Sequence, residues 1–470
     1  MSMAKSEKKD LFYENKNKFS TVSSDEKKNI NSYSKSYKAF LDKAKTEREF
    51  AIEAKKFLED NGFKPLGVYE ELKPGDRVYT INRGKGVVAA VIGTENITEG
   101  TSIVGAHIDS PRLDLKPNPL YEDSHFAYFK THYYGGIKKY QWTTIPLALH
   151  GVATLQDGTQ IDINVGESED DPTFMITDVL PHFAREQMQK KLSEAIPGES
   201  LNIILGNLEA EDCDKEVKEK VKYNIMSMLN EKYDICEEDF ISSEIEAVPA
   251  YKARDLGFDR SMVAAYGQDD RVCAYGAMRA VADLKKPKYT AICLLVDKEE
   301  IGSVGNTGMR SRYFENILAK IVEKRVDNYN DIKLRDTISN SICLSADVCA
   351  AFDPNFAEAS ERRNAPVING GIGVIKYSGS GGKSGSSDAN AELMASIRRI
   401  FNEGGVCWQS GELGKIDGGG GGTIAGFVAN LDMEVVDVGV PLLSMHSPYE
   451  TAGKLDIYMA FKAYRAFYQR

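Results

Sequence analysis

Between residues 35 and 61 the apolar positions Phe40, Leu41, Ala44, Ala51, Ala54 and Phe57 recur near a 3.6-residue period and stop at Asn61-Gly62, which predicts one amphipathic helix. The period then shortens. Residues 78–81 and 86–92 alternate, and 102–105 form an apolar strand that runs into Ala106-His107-Ile108-Asp109. From about 113 to 250 the signals are those of antiparallel strands: 140–144, 147–155 closed by Gln156-Asp157-Gly158, and 161–165. A charged segment, 214–233, carries Val217, Val221, Ile225 and Leu229 on one face, the stripe of a packed helix. After about residue 252 strands (289–296, 341–345, 432–438) alternate with helices (271–284, 388–403, 450–468). The first two of these strands are continuously apolar, as expected for strands covered on both faces. The pattern predicts an α/β protein, a mixed sheet flanked by helices, with a β-rich segment between its two parts.

At 470 residues, 42% hydrophobic and 27% charged, the chain has the composition of an ordinary globular protein large enough for two or three domains. Glycine changes the picture locally: sixteen of the 40 glycines lie between 370 and 422. They concentrate in the loop segments 378–387 and 418–422, where an unusual backbone is needed. The net charge of −11 argues against nucleic acid or an anionic membrane as the partner. Seven cysteines with no C-x-x-C pair read as free thiols in a reducing compartment. No apolar run marks the first twenty residues as a secretion signal, and no window reaches the length of a membrane span. The expected location is the cytoplasm.

Candidate chemistry recurs at strand ends. His107 and Asp109, Glu299 and Glu300, Asp347 and finally His446 each follow a predicted strand, and Asp269 precedes a helix in Tyr266-Gly267-Gln268-Asp269-Asp270-Arg271. In an open α/β sheet, side chains placed after different strands converge at the carboxyl edge. Two imidazoles and several carboxylates without a thiolate suit Zn²⁺, with Co²⁺ or Mn²⁺ as substitutes, and the set is large enough for two ions. The doubled acid Glu299-Glu300 fits a division of labour in which one carboxylate binds metal and its neighbour takes a proton from the activated water.

The runs VGAHIDSPRLD (104–114), YGQDDRVCA (266–274), DKEEIGS (297–303), SADVCAAFDPNF (345–356) and SMHSPYE (444–450) resemble, in order, the motifs of the aspartyl aminopeptidase family. Asp270 stands where Asn often follows in that family, which places the resemblance nearer its bacterial members. The resemblance implies a zinc exopeptidase-like catalytic domain that removes N-terminal residues from peptides with two Zn²⁺ per subunit. His107, Asp269 and Asp347 are then expected to hold one ion and Asp269, Glu300 and His446 the other. Glu299 is the expected general base, and Asp109 orients His107.

The resemblance further implies an inserted dimerisation domain at 113–251 between catalytic parts at 1–112 and 252–470. It implies dimers assembled into a tetrahedral dodecamer, with His182 reaching a neighbouring subunit's site. Lys376 is expected near the pocket, where it would pair with an acidic P1 side chain. Gly421, in the glycine-rich zone, is expected to bring main chain close to substrate. His125, His132 and His150 are assigned to structure. Two other readings fit the residues: a related di-zinc carboxypeptidase or deacylase using Arg271 or Arg310 for a free carboxylate, and a non-catalytic assembly protein of the same fold.

Overall fold

The run Thr290–Val296 is apolar throughout because both of its faces are covered, and all seven residues are buried. In the computed structural model, which describes residues 12–211, 213, 214 and 216–470, this strand lies inside a nine-stranded mixed sheet. It pairs antiparallel with Val87–Val91 on one side and parallel with Thr101–His107 on the other. Ile342–Ser345 and Glu434–Gly439 continue the parallel run. Four neighbouring strands therefore deliver their carboxyl ends to one edge.

Alternate side chains of these strands go to opposite layers. Val104, Ala106, Ala291, Cys293 and Leu295 pack with the helices Ser24–Leu41, Glu47–Asp60, Gln268–Ala282, Ala391–Glu403 and Lys454–Tyr468. Ile103, Ile292, Leu294 and Val296 pack with Tyr313–Glu323, Asp331–Ser339 and Ala425–Ala429. The mixed sheet flanked by helices is as the periodicity predicted.

A second, all-antiparallel sheet has six strands in the order Gln160–Val165, Leu147–Thr154, Ser243–Pro249, Arg112–Asp123, Phe126–Tyr134 and Asn202–Gly206. Its core includes Phe129, Trp142, Leu149 and Phe240, with the helix Lys220–Tyr233 packed against it. A smaller sheet joins Met262–Ala265 to Glu450–Gly453 and Pro441–Leu443.

Several expectations are corrected. The single helix at 35–61 is two, Ser24–Leu41 and Glu47–Asp60. The period runs on through the connection because Ala44 is buried there as well. The second helix starts at a capping box, Thr46 with Glu49, which satisfies backbone donors at the new N-terminus. Residues 140–144 are not a strand: Lys139–Trp142 is a 3₁₀ turn that buries Trp142. The charged helix begins at Lys220 rather than 214, so Val217 precedes it. Residues 450–453 are a strand, and the last helix begins at Lys454. The first eleven residues of the N-terminal segment read for a signal lie outside the described residues.

The six-stranded sheet is joined to the helical layer by buried charge. His150 Nδ1 lies 2.7 Å from Glu49 and its Nε2 3.1 Å from Glu167. Lys45 Nζ is 2.5 Å from Glu167, and Arg48 pairs with Glu244. Burial works against a charged imidazole, but the hydrogen bonds to Glu167 and Glu49 outweigh it and raise the His150 pKa. Burial likewise works against the Glu167 anion, yet His150 and the two lysines hold its pKa down to about 2. A raised folded pKa contributes stability that is complete below the unfolded value of ~6.5 and is lost as pH rises through the folded value. Wild type should therefore exceed His150→Gln in unfolding midpoint most strongly below pH ~6 and by a shrinking margin above it. A margin that stays constant across pH would show that folding does not shift the imidazole's pKa, and one that shrinks at low pH would show that the fold holds it neutral.

Candidate metal centre

His107 is the last residue of the buried strand Thr101–His107, and its imidazole turns over the carboxyl edge of the sheet. The neighbouring parallel strand Thr290–Val296 runs through Lys298, at φ 67°, into a short 3₁₀ turn that begins with Glu299 and Glu300. Ile342–Ser345 is followed by Asp347, and Asp269 stands at the start of Gln268–Ala282 with non-helical backbone angles (φ −78°, ψ 110°), ahead of its regular turns as predicted. His446 arrives differently. After Glu434–Gly439 the chain makes a further short strand, Pro441–Leu443, and reaches His446 at φ 64°.

These side chains meet in two groups that share one residue. Ligand atoms of His107, Asp269 and Asp347 lie within 4.8 Å of one another, and so do those of Asp269, Glu300 and His446. His107 Nε2 is 3.2 Å from Asp269 Oδ1, and His446 Nε2 is 3.2 Å from Asp269 Oδ2. Asp347 Oδ1 stands 3.8 Å and Glu299 Oε2 4.0 Å from His107 Nε2, and Glu300 Oε2 stands 3.5 Å from His446 Nε2.

The far side of each imidazole is fixed. His107 Nδ1 lies 3.1 Å from the Asp109 carbonyl, and His446 Nδ1 lies 2.8 Å from the Gly136 carbonyl. A carbonyl can only accept, so each Nδ1 carries the proton and each Nε2 is left to the cluster.

Burial and mutual repulsion act strongly on the acids. Burial first, helped by Asp347 and Asp269 and opposed by His107, raises the Glu299 pKa to about 8. Glu300 is pushed well up by burial and Asp269. Burial also works against the Asp269 anion, but the imidazoles of His107 and His446 on either side hold its pKa below the usual carboxylate range. Asp269 Oδ1 and Glu300 Oε1 are buried without a hydrogen-bond donor among the described residues. Buried acceptors of this kind are rare unless a cation or water takes them. A nitrogen-and-carboxylate set with orphaned oxygens fits zinc.

The whole chain carries the same signature. Residues 40–468 match the family model of aminopeptidase I zinc metalloproteases, M18. A probable M18 family aminopeptidase 1 of Clostridium acetobutylicum is 52% identical over 97% of this chain and 99% of its own length. The chain belongs to the M18 family. The crystal structure of an M18 aminopeptidase from Thermotoga maritima superimposes with a TM-score of 0.93 at 44% identity, over 97% of this chain and all of that one. A structure described as the S. cerevisiae mApe1 dodecamer shares the fold at 20% identity and a TM-score of 0.76, over 94% of this chain and 97% of its own. The protein is thus a zinc metalloaminopeptidase, as the five sequence runs predicted.

Membership decides between the hydrolase readings in favour of the M18 aminopeptidase. Arg271 is in any case committed elsewhere: it is buried, 2.5 Å from the Ala44 carbonyl and near Ser110 Oγ. Arg310 is exposed and stacks over Phe427. No helix of the described residues is long and apolar enough to cross a membrane.

An open cleft of about 690 Å³ lies over the M18 cluster, lined by Glu299, Glu300, His446 and small residues that include Gly385, Gly422 and Thr423. The glycine-rich zone reaches this cleft through Gly422 and Gly385, while Gly421 stands behind the rim, its carbonyl accepting from Gly379 N. Lys376 is exposed and bonds Asp388 at 2.8 Å, and Lys383 bonds the other oxygen of Asp388 at 2.9 Å. His182 is exposed on the turn Pro181–Phe183 and is not brought to the cluster by its own chain. His125 pairs with Glu209 at the surface, and His132 bonds the Tyr133 carbonyl.

Three neighbours of the cluster were given no role by the sequence. Tyr134 donates to Asp109, the Gly136 carbonyl holds His446, and Glu450 accepts from the backbone of both Asp269 and His446. The repeated glycine after Tyr133-Tyr134 and the acid closing SMHSPYE were the available signals.

If the orphaned acids hold zinc, the ion binds the native state only. Zinc at about 100 times its Kd should then raise stability by ~2.7 kcal/mol per site, read as a higher unfolding midpoint that a chelator reverses. An unchanged midpoint under both treatments would count against any metal at this cluster.

Proposed function

We propose that this M18 enzyme releases the N-terminal residue of peptides with two zinc ions per subunit, Co²⁺ or Mn²⁺ being able to substitute. The observation that carries the reading is the pair of imidazoles, each with Nε2 3.2 Å from a different oxygen of Asp269. In this reading His107, Asp269 and Asp347 hold one ion, and Asp269, Glu300 and His446 the other. When bound, the pair supplies Lewis-acid polarisation of the scissile carbonyl and a water acidified toward pKa ~7.

The chain's own groups do the rest. Glu299 stands at the rim of the cleft beside the shared cluster. Its carboxylate takes one proton from the attacking water and gives it to the amine nitrogen as the peptide C–N bond breaks. Asp109 keeps the His107 proton on Nδ1. The acids of the cluster favour a substrate α-ammonium, and the glycine rim lets main-chain N–H groups approach the peptide backbone.

Selection of an acidic P1 side chain by Lys376 belongs to the same reading. Its support is charge: Lys376 and Lys383 share one carboxylate, leaving a net positive patch. Residues 113–251 are proposed as the dimerisation domain, supported by the exposed apolar run Val179, Leu180, Phe183, Met188 and Leu192 around His182. Assembly of dimers into a tetrahedral dodecamer, with His182 completing a neighbour's site, agrees with the dodecamer named for the yeast relative. The proposed setting is the cytoplasm.

Glu299→Gln should keep its zinc and lose ~10³-fold or more in kcat, while Glu300→Gln should lose zinc affinity itself. Wild-type turnover by Glu299→Gln would remove the base assignment. In a panel of aminoacyl chromogenic substrates, Asp and Glu should lead and Lys376→Ala should erase that lead. A Leu or Met preference would exclude the acid reader. His182→Ala should lower kcat without changing zinc content, and full activity in that variant would end the cross-subunit role.

A further inference from the structure

One strand end of the six-stranded sheet touches both halves of the cluster. Tyr134 closes Phe126–Tyr134, and its hydroxyl donates to Asp109 Oδ2 at 2.8 Å. The same carboxylate accepts from Glu300 N on Oδ2 and from Glu299 N on Oδ1, each at 3.2 Å. Asp109 Oδ1 also lies 3.3 Å from His107 Nδ1. Two residues beyond Tyr134, the Gly136 carbonyl holds His446 Nδ1. Between them Gly135, at φ 75°, leaves the space that a Cβ would take 3.2 Å from Glu300 Oε2.

The tyrosine is itself clamped. Arg112 stands opposite it in the strand register and places its guanidinium 3.8 Å from the ring centroid. That guanidinium is buried and held by Asp114 at 2.8 Å, Glu246 at 3.1 Å and Glu47 at 3.6 Å. Burial keeps the phenol protonated far above its ordinary range, so it is a permanent donor.

We infer that Tyr134 is a positioning residue for the metal centre: through Asp109 it fixes His107, while Gly136 on the same strand end fixes His446. The imidazoles of both proposed sites are thereby referenced to one rigid piece of the second sheet. Arg112 presses the ring from the opposite side, so that the hydroxyl has one place to point.

This inference rests on the two-site reading above and is tested on zinc binding rather than turnover. Tyr134→Phe keeps the ring and its contact with Arg112 and removes only the donor. Apo wild type and apo variant are titrated with zinc against a chromophoric chelator. The expected result is that one of two binding steps weakens ~10–100-fold, the other is unchanged, and the apo unfolding midpoint moves by no more than ~2 °C. Equal affinity at both steps overturns the inference, and so does a parallel loss at both steps with a lowered apo midpoint, which marks a merely structural role. Failure of wild type to take zinc would overturn the two-site reading and this inference together; two tight steps in wild type matched by the variant would overturn the inference alone.

Discussion

The carboxyl edge of the main sheet depends on one electrostatic constraint: many acids are buried in a small space with only two imidazoles to balance them. An unpaired charge in such surroundings is prohibitively costly. The acids divide by how that cost is met. Asp109 takes two backbone N–H groups and the Tyr134 hydroxyl, and Glu450 takes the N–H groups of Asp269 and His446. Both are satisfied by the protein and serve to place other groups. Asp270 accepts from His107 N with one oxygen and has no partner for the other among the described residues, and burial pushes its pKa well up. Asp269 and Glu300 keep an oxygen with no protein donor. These two, unlike Asp270, also belong to the two groups of side chains that could hold a metal ion.

The same constraint explains demands made far from the cluster. Asp347 reaches its position because Gly439, on the next parallel strand, has no side chain: a Cβ there would stand 1.5 Å from the Asp347 carbonyl. The site is therefore set by how closely two strand ends approach. The second sheet contributes as well, since Tyr134 and Gly136 reach the cluster from the end of a strand that packs on a different core. A centre assembled from two sheets is sensitive to the contact between them, which is why the joining surface is itself a network of buried ion pairs around Arg112, Lys45 and His150.

Much of this was legible along the chain, for a physical reason. Strands covered on both faces leave an unbroken apolar run, and the polar residue after such a run has to sit at a sheet edge. That logic located His107, Glu299, Glu300 and Asp347. It named His446 as well, behind the strand predicted at 432–438, but not the further short strand Pro441–Leu443 of another sheet that carries the chain there. Periodicity failed where burial outlasts the element. Ala44 keeps the helical stripe through a break, and Trp142 supplies an inward residue to a turn that alternates like a strand. Tyr134 and Gly136 were out of reach, since a hydroxyl donor and a carbonyl acceptor gain their roles only from a partner distant in sequence.

The glycine excess resolves into two kinds. Gly371, Gly373 and Gly439 sit where a Cβ would strike backbone or a neighbouring side chain, and they serve packing of the sheet. Gly136, Gly302, Gly385, Gly422 and Gly426 are five of the twelve residues lining the cleft. A wall so poor in side chains offers main-chain groups, and these read what all peptides share. Discrimination among first residues therefore has to come from the few side chains present, Phe427, Asn430, Ser386 and Thr423, or from outside the wall. Of the exposed lysines about Asp388, Lys383 lies on the glycine-rich segment that supplies Gly385 and Ser386, and Lys376 just before it. In the proposed reading, a wall of main-chain groups beside a charged loop would separate the recognition of a peptide end from the choice of its side chain, so that either could change without disturbing the acids beneath.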